Sequence, residues 1–235
     1  MKVQPSRDEF KAFAVEHSIV PVWTEVLGDL ETPVAAFAKL VGGEPGFLLE
    51  SVEHGERWSR FSFVGRDPSA TLVLRDGRLV VTGDLPPGIP TDQGMLAAIE
   101  ALLATYTSPA FTDLPPLHGG IMGYLGYDVI REIEHLPNAP VDDHGLPDAG
   151  MSVIGSLAAF DHWRQRVYLI ESVPTHGLSE TELDDAYDQA SMRVHVSVDR
   201  LAQPLAYVPV EPPTKDDVLP ALRSSMPDGM YQRAV

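Results

Sequence analysis

Cysteine is absent from the 235 residues, which removes disulfides, thiolate nucleophiles and sulfur-bound metals together. Long apolar runs are missing too. The longest near-apolar stretch, Met151 to Phe160, is too short and too small in its side chains to cross a bilayer. The first residues, Met1-Lys2-Val3-Gln4-Pro5, have no apolar core of the kind a secretory leader needs. Basic residues are scarce, 17 Lys and Arg against 34 Asp and Glu, for a formal charge of -17. That field repels phosphate backbones and anionic lipid, so neither nucleic acid nor membrane is an expected partner. A dianionic substrate would need local cations or amide donors, and no dense basic cluster supplies them. These absences predict a soluble, unprocessed, cytoplasmic protein. The length is enough to bury about 70 % of the unfolded surface without any cross-link.

Catalytic signatures are equally sparse. The histidines at 17, 54, 118, 135, 144, 162, 176 and 195 show neither H-x-x-x-H nor H-E-x-x-H spacing. Asp142-Asp143-His144 sits between Pro140 and Pro147 and reads as an exposed loop. No serine lies in a G-x-S-x-G elbow. The glycines at 119, 120, 123 and 126 match neither a dinucleotide fingerprint nor a phosphate loop. They read instead as a strand whose missing side chains let another backbone come close, with Tyr124 and Tyr127 packing nearby. No catalytic residue and no metal ligand is therefore assigned.

The order of elements predicts an α+β fold, a mainly antiparallel sheet with flanking helices. Ser6-Arg7-Asp8-Glu9 is a capping box that opens a helix to about His17. Ile19 to Leu27 is extended, and Thr32-Pro33 starts a second helix that Gly42-Gly43 stops. Phe47 to Val52 and Trp58 to Val64 alternate as two paired strands, with His54-Gly55 as the turn. Arg75-Asp76-Gly77 joins Ala70–Leu74 to Arg78–Val81 as a hairpin. Met95 to Tyr106 is helical; Met151–Phe160 and Arg166–Val173 are read as two strands around Asp161–Gln165. Ser179 then opens an acidic helix to about Ala202, whose Asp184, Asp185 and Asp188 read as a solvated face. Gln203 to Pro213 has linker composition, and Met226-Pro227-Asp228 begins a last helix that is barely nucleated at Val235, so the chain reads as a fragment.

Two segments carry more information than their periodicity. On spacing alone, Glu50 and Ser51 in Leu48-Leu49-Glu50-Ser51 are ordinary polar residues at a strand end. Yet this L-L-E-S run, followed by Arg57-Trp58-Ser59-Arg60-Phe61 and later by Gly119-Gly120-Ile121-Met122-Gly123-Tyr124-Leu125-Gly126-Tyr127-Asp128, resembles the N-terminal half of anthranilate synthase component I. Ser59 and Phe61 stand where many relatives have Gly and Tyr, a change that keeps the strand pattern.

The resemblance, from about Phe10 to Val235, implies residues 1–202 as a regulatory α+β domain, 203–226 as a linker and 227–235 as the start of a chorismate-binding catalytic domain. It implies that the intact enzyme turns chorismate and glutamine-derived ammonia into anthranilate and pyruvate, with Mg2+ as cofactor and a glutamine amidotransferase as partner. The metal and chorismate ligands would lie outside this chain, leaving it inactive alone. Leu49, Glu50 and Ser51 match the positions that border the inhibitor L-tryptophan in relatives, and either Arg57 or Arg60 matches a further basic residue. Aminodeoxychorismate synthase component I and a stand-alone amino-acid-binding module are the alternative readings.

Overall fold

Apolar alternation along Ile19–Leu27 sends Val20 and Val22 to one side and Trp23 to the other, all buried, and the strand forms over those nine residues (β1). Before it, helix α1 (Arg7–Ala14) carries the complete Ser6/Glu9 capping box. It ends short of His17, where Val15 and Glu16 donate three residues back, to Ala12 O and Phe13 O, in a tightened last turn. Thr32 caps α2 (Pro33–Leu40) by accepting from Ala35 N.

The computed structural model describes residues 1–50, 60–139, 141–142, 144–207, 209, 211–212, 214 and 229–234. They belong to two units, Met1–Leu205 and Ala206–Val235. In the second, a short helix covers Met230–Ala234; the expected helix start at Met226-Pro227-Asp228 lies outside the described residues.

The first unit is α+β, as expected, but has two antiparallel sheets instead of one. Five strands run in the order β1, β9 (Arg166–Pro174), β8 (Ser156–Asp161), β3 (Phe61–Arg66) and β2 (Gly46–Leu49). Four others run in the order β5 (Arg78–Gly83), β4 (Ala70–Arg75), β7 (Ala149–Val153) and β6 (Ile121–Leu125). The β4–β5 turn is Asp76-Gly77, both at positive φ (52° and 67°), as a two-residue hairpin on a twisted sheet requires.

The second sheet corrects the sequence reading of Met151–Phe160 as one strand. That run changes sheets at Ile154-Gly155, so its first part is β7 and its second β8. The chain also changes sheets between β3 and β4, and the two crossings touch. A Cβ on Gly155 would lie 2.0 Å from Asp67 O, while Ser69 N donates to Val153 O.

Each sheet is covered by helix on one face. On the five-stranded sheet, Val64, Ala158, Val167 and Leu169 meet α2 and the long helix α4 (Glu180–Leu201) through Ala36, Leu40 and Leu201. On the four-stranded sheet, Leu72, Leu74 and Ala149 meet Met95, Ala98 and Leu102 of α3 (Met95–Thr105). Each such fully buried large side chain contributes about 1.5–3 kcal/mol. A further cluster, with Trp23, Leu157, Ile170 and the half-buried Phe47, Phe63 and Met122, joins the opposite face of the five-stranded sheet to β6.

Two surface expectations need correction. Asp184 and Asp188 are not merely solvated: Arg7 pairs with both, and Lys11 reaches Asp184 at 3.2 Å, which ties α1 to α4. Tyr124 does pack across the ladder against Gly150 and donates its hydroxyl to Pro147 O, but Tyr127 is 84 % exposed. Tyr127 opens a 3-10 helix (Tyr127–Glu132) that orients side chains for other elements.

Candidate ligand-binding edge

Among the described residues, β2 is the outer strand of its sheet and pairs only with β3, so they leave its other edge open. Leu48 turns toward the helix-side core, while Phe47 turns to the inter-sheet cluster. Leu49, two residues on, shares the face of Phe47, lies opposite Phe63 and keeps 40 % of its surface exposed. Glu50 follows and is exposed. Ser51, the proposed turn at His54-Gly55, and Arg57 lie outside the described residues. The structure thus places Leu49 and Glu50 together at an open strand end.

The strand is held in place by a fit between an aromatic ring and a missing side chain. A Cβ on Gly65 would meet the Phe47 ring at 2.0 Å, so only glycine lets the ring lie across β3. Beside Phe47, a cavity of about 230 Å3 opens between the two sheets, bordered by Gly46, Met122, Gly123, Gly150 and Ile154. Its border does not include Leu49 or Glu50.

Arg60 is already engaged. Its Nε and Nη2 donate to the two carboxylate oxygens of Asp161 at 3.0 and 2.5 Å, in a bidentate pair. Its guanidinium also stands 4.6 Å from the centre of the Phe61 ring and 5.1 Å from that of Trp163. Asp161 is 2 % exposed and also accepts from the backbone N–H groups of Trp163 and Arg164. Burial acts to raise its pKa, but Arg60 and those N–H groups outweigh it and hold the carboxyl below the usual carboxylate range. A guanidinium so neutralised is a poor anchor for a ligand carboxylate.

Sequence reasoning missed Asp161 as the partner of Arg60, since the two stand 101 positions apart. The readable signal was local: an Asp at the start of a five-residue turn commonly accepts backbone N–H bonds two and three residues on.

The glycine segment does what its composition suggested. A Cβ on Gly123 would lie 1.9 Å from Gly150 O, so β6 and β7 approach because that side chain is missing. Downstream, Glu132 receives Met95 N at 2.8 Å and Leu96 N at 2.9 Å, and so caps α3 from a separate element. The local N-cap, Gly94, has φ 92° and no side chain, and a Cβ there would strike the Glu132 carboxylate at 2.6 Å. Among the described residues, no group of three or more His, Asp or Glu is arranged to hold a metal ion.

Fold and edge define a two-sheet antiparallel α+β unit with an open, half-exposed strand end. No family model matches the chain. It is, however, 41 % identical over 201 residues to anthranilate synthase component 1 of Mycolicibacterium smegmatis, covering 85 % of this chain and 38 % of that protein. The protein of the same name from Arthrobacter globiformis is 34 % identical over 204 residues, 86 % of this chain and 38 % of its own. That of Pseudomonas aeruginosa is 30 % identical over 207 residues, with shares of 85 % and 40 %. A crystal structure of anthranilate synthase component I from Streptococcus pneumoniae is similar at 26 % identity and a TM-score of 0.43, over 72 % of this chain and 36 % of that one. The chain belongs to the anthranilate synthase component I family, and it spans about two fifths of the length of these curated relatives. No described helix is long and apolar enough to cross a membrane.

Proposed function

We propose that this chain is the N-terminal, regulatory portion of an anthranilate synthase component I. The whole protein would convert chorismate and ammonia to anthranilate and pyruvate in L-tryptophan biosynthesis, with a glutamine amidotransferase subunit supplying the ammonia. The observation that carries this reading is the 41 % identity over 85 % of the chain. Chorismate and Mg2+ would be held by the remaining length, and the 235 residues alone would be inactive.

The end product L-tryptophan would be sensed at Leu49, Glu50 and Ser51. Leu49 offers exposed apolar surface beside Phe63 for an indole, and Glu50 an exposed carboxylate for the ammonium. Ser51 and its backbone would receive the carboxylate. Because Arg60 is neutralised by Asp161, Arg57 is the better candidate for the further cation. Tryptophan that preferred one arrangement of the two halves would shift their equilibrium toward it, which is what inhibition requires. The test is the inhibition curve of the full-length enzyme, each variant scored against its own uninhibited rate. Ser51→Arg should move the curve to higher tryptophan; an unmoved curve would overturn the site.

A further inference from the structure

Away from β2, a cavity of about 190 Å3 lies where the end of α3 meets the start of β1 and the glycines before β6. Ile19, Leu102, Ile121 and Val153 give it apolar walls, and Tyr106 and His118 polar ones. No Asp, Glu, Lys or Arg borders it. His118 Nδ1 donates to Pro115 O at 3.0 Å, so the neutral ring keeps Nε2 as an acceptor, and Nε2 has no partner among the described residues. The Tyr106 hydroxyl has none either, and burial pushes its pKa up. Behind Gly119, whose Cβ would come 3.4 Å from it, Ser172 Oγ is buried and also without a partner. Tyr106 and His118 are half-buried, and an apolar-walled cavity on which a few polar groups without a protein partner converge is a ligand seat.

We propose that this cavity binds a small neutral aromatic molecule of one or two fused rings, whose single N–H or O–H donates to His118 Nε2. Size sets the ring count, since a cavity of about 150 Å3 already accepts benzene. Charge sets the neutrality: an ionised carboxylate or ammonium would lose its water here without an ion partner. A free amino acid is disfavoured on that ground, which separates this site from the β2 edge.

The test is an NMR titration of the 235-residue chain at pH 8 with indole, and with benzofuran, which has the same shape but no N–H. Indole should shift the methyl signals of Leu102, Ile121 and Val153 saturably, and benzofuran should bind about tenfold more weakly or worse. His118→Phe, which keeps a ring in place, should erase that difference. Ser108→Trp, at the exposed rim, should block both probes. Equal affinity for the two probes in the wild-type chain, or no shift of those methyls at millimolar indole, would overturn the proposal without any variant. Unchanged binding in Ser108→Trp would overturn it as well.

Discussion

Gly123→Ala is the sharpest test of the reading that the glycine segment serves strand packing. Gly123 stands opposite Met151 in the β6–β7 ladder. The added methyl would sit 1.9 Å from Gly150 O and 2.8 Å from Met151 Cα. The first contact is roughly 1.5 Å inside a normal non-bonded separation. The obstacle is backbone, so no rotamer change relieves it. β6 is an edge strand and could withdraw, but doing so would stretch the ladder and pull Ile121 from the α3 core and Met122 from the inter-sheet cluster. The loss should therefore fall in the upper part of the overpacking range, about 2–3 kcal/mol. Gly43→Ala is the control: nothing lies within 4 Å of its would-be Cβ and its φ is not left-handed, so it should be neutral or stabilise by about 0.4–1 kcal/mol. Urea unfolding of the 235-residue chain measures both, with the slope showing whether the transition stays comparable. Gly123→Ala within about 0.5 kcal/mol of wild type would refute the close-approach argument.

Other outcomes follow from named contacts. Glu132→Ala should cost about 0.5–1 kcal/mol in thermal unfolding, because two N–H groups of α3 lose their acceptor. Gly94→Ala should cost more, since it adds a left-handed φ and a clash with the same carboxylate. The folded pKa of Asp161 is depressed, so its contribution to stability is fully present above the ordinary value of 3.8 and is lost as pH falls through the lower folded value. Asp161→Asn should accordingly melt below wild type at neutral pH, with the gap narrowing as pH falls below 3.8 and closing below the depressed folded value; a gap independent of pH would argue against the ion pair as its source.

Local chemistry was legible where one segment decides its own structure. β1 forms over the residues read as extended, Thr32 caps α2, and Asp76-Gly77 makes the hairpin turn. What failed were features that need a second, distant segment. Met151–Phe160 has an unbroken strand pattern, and only the contact of Gly155 with Asp67 shows that it changes sheets. Asp184 and Asp188 look solvated until Arg7 and Lys11 are brought up from the far end of the chain. Arg60 looked free for a ligand until Asp161 proved to accept from its Nε and Nη2. Glu132 gives no sequence sign that it caps a helix 36 residues upstream. Of the candidate inhibitor site, motif resemblance supplied all three residues, since spacing alone made Glu50 and Ser51 ordinary polar residues at a strand end.

The most direct test of the central claim is calorimetric titration of L-tryptophan into the full-length protein and its Ser51→Arg variant. The account predicts saturable binding by the wild type, near one tryptophan per chain, and its loss or marked weakening in the variant. Absence of tryptophan binding by the wild type, or equal binding by both, would contradict it.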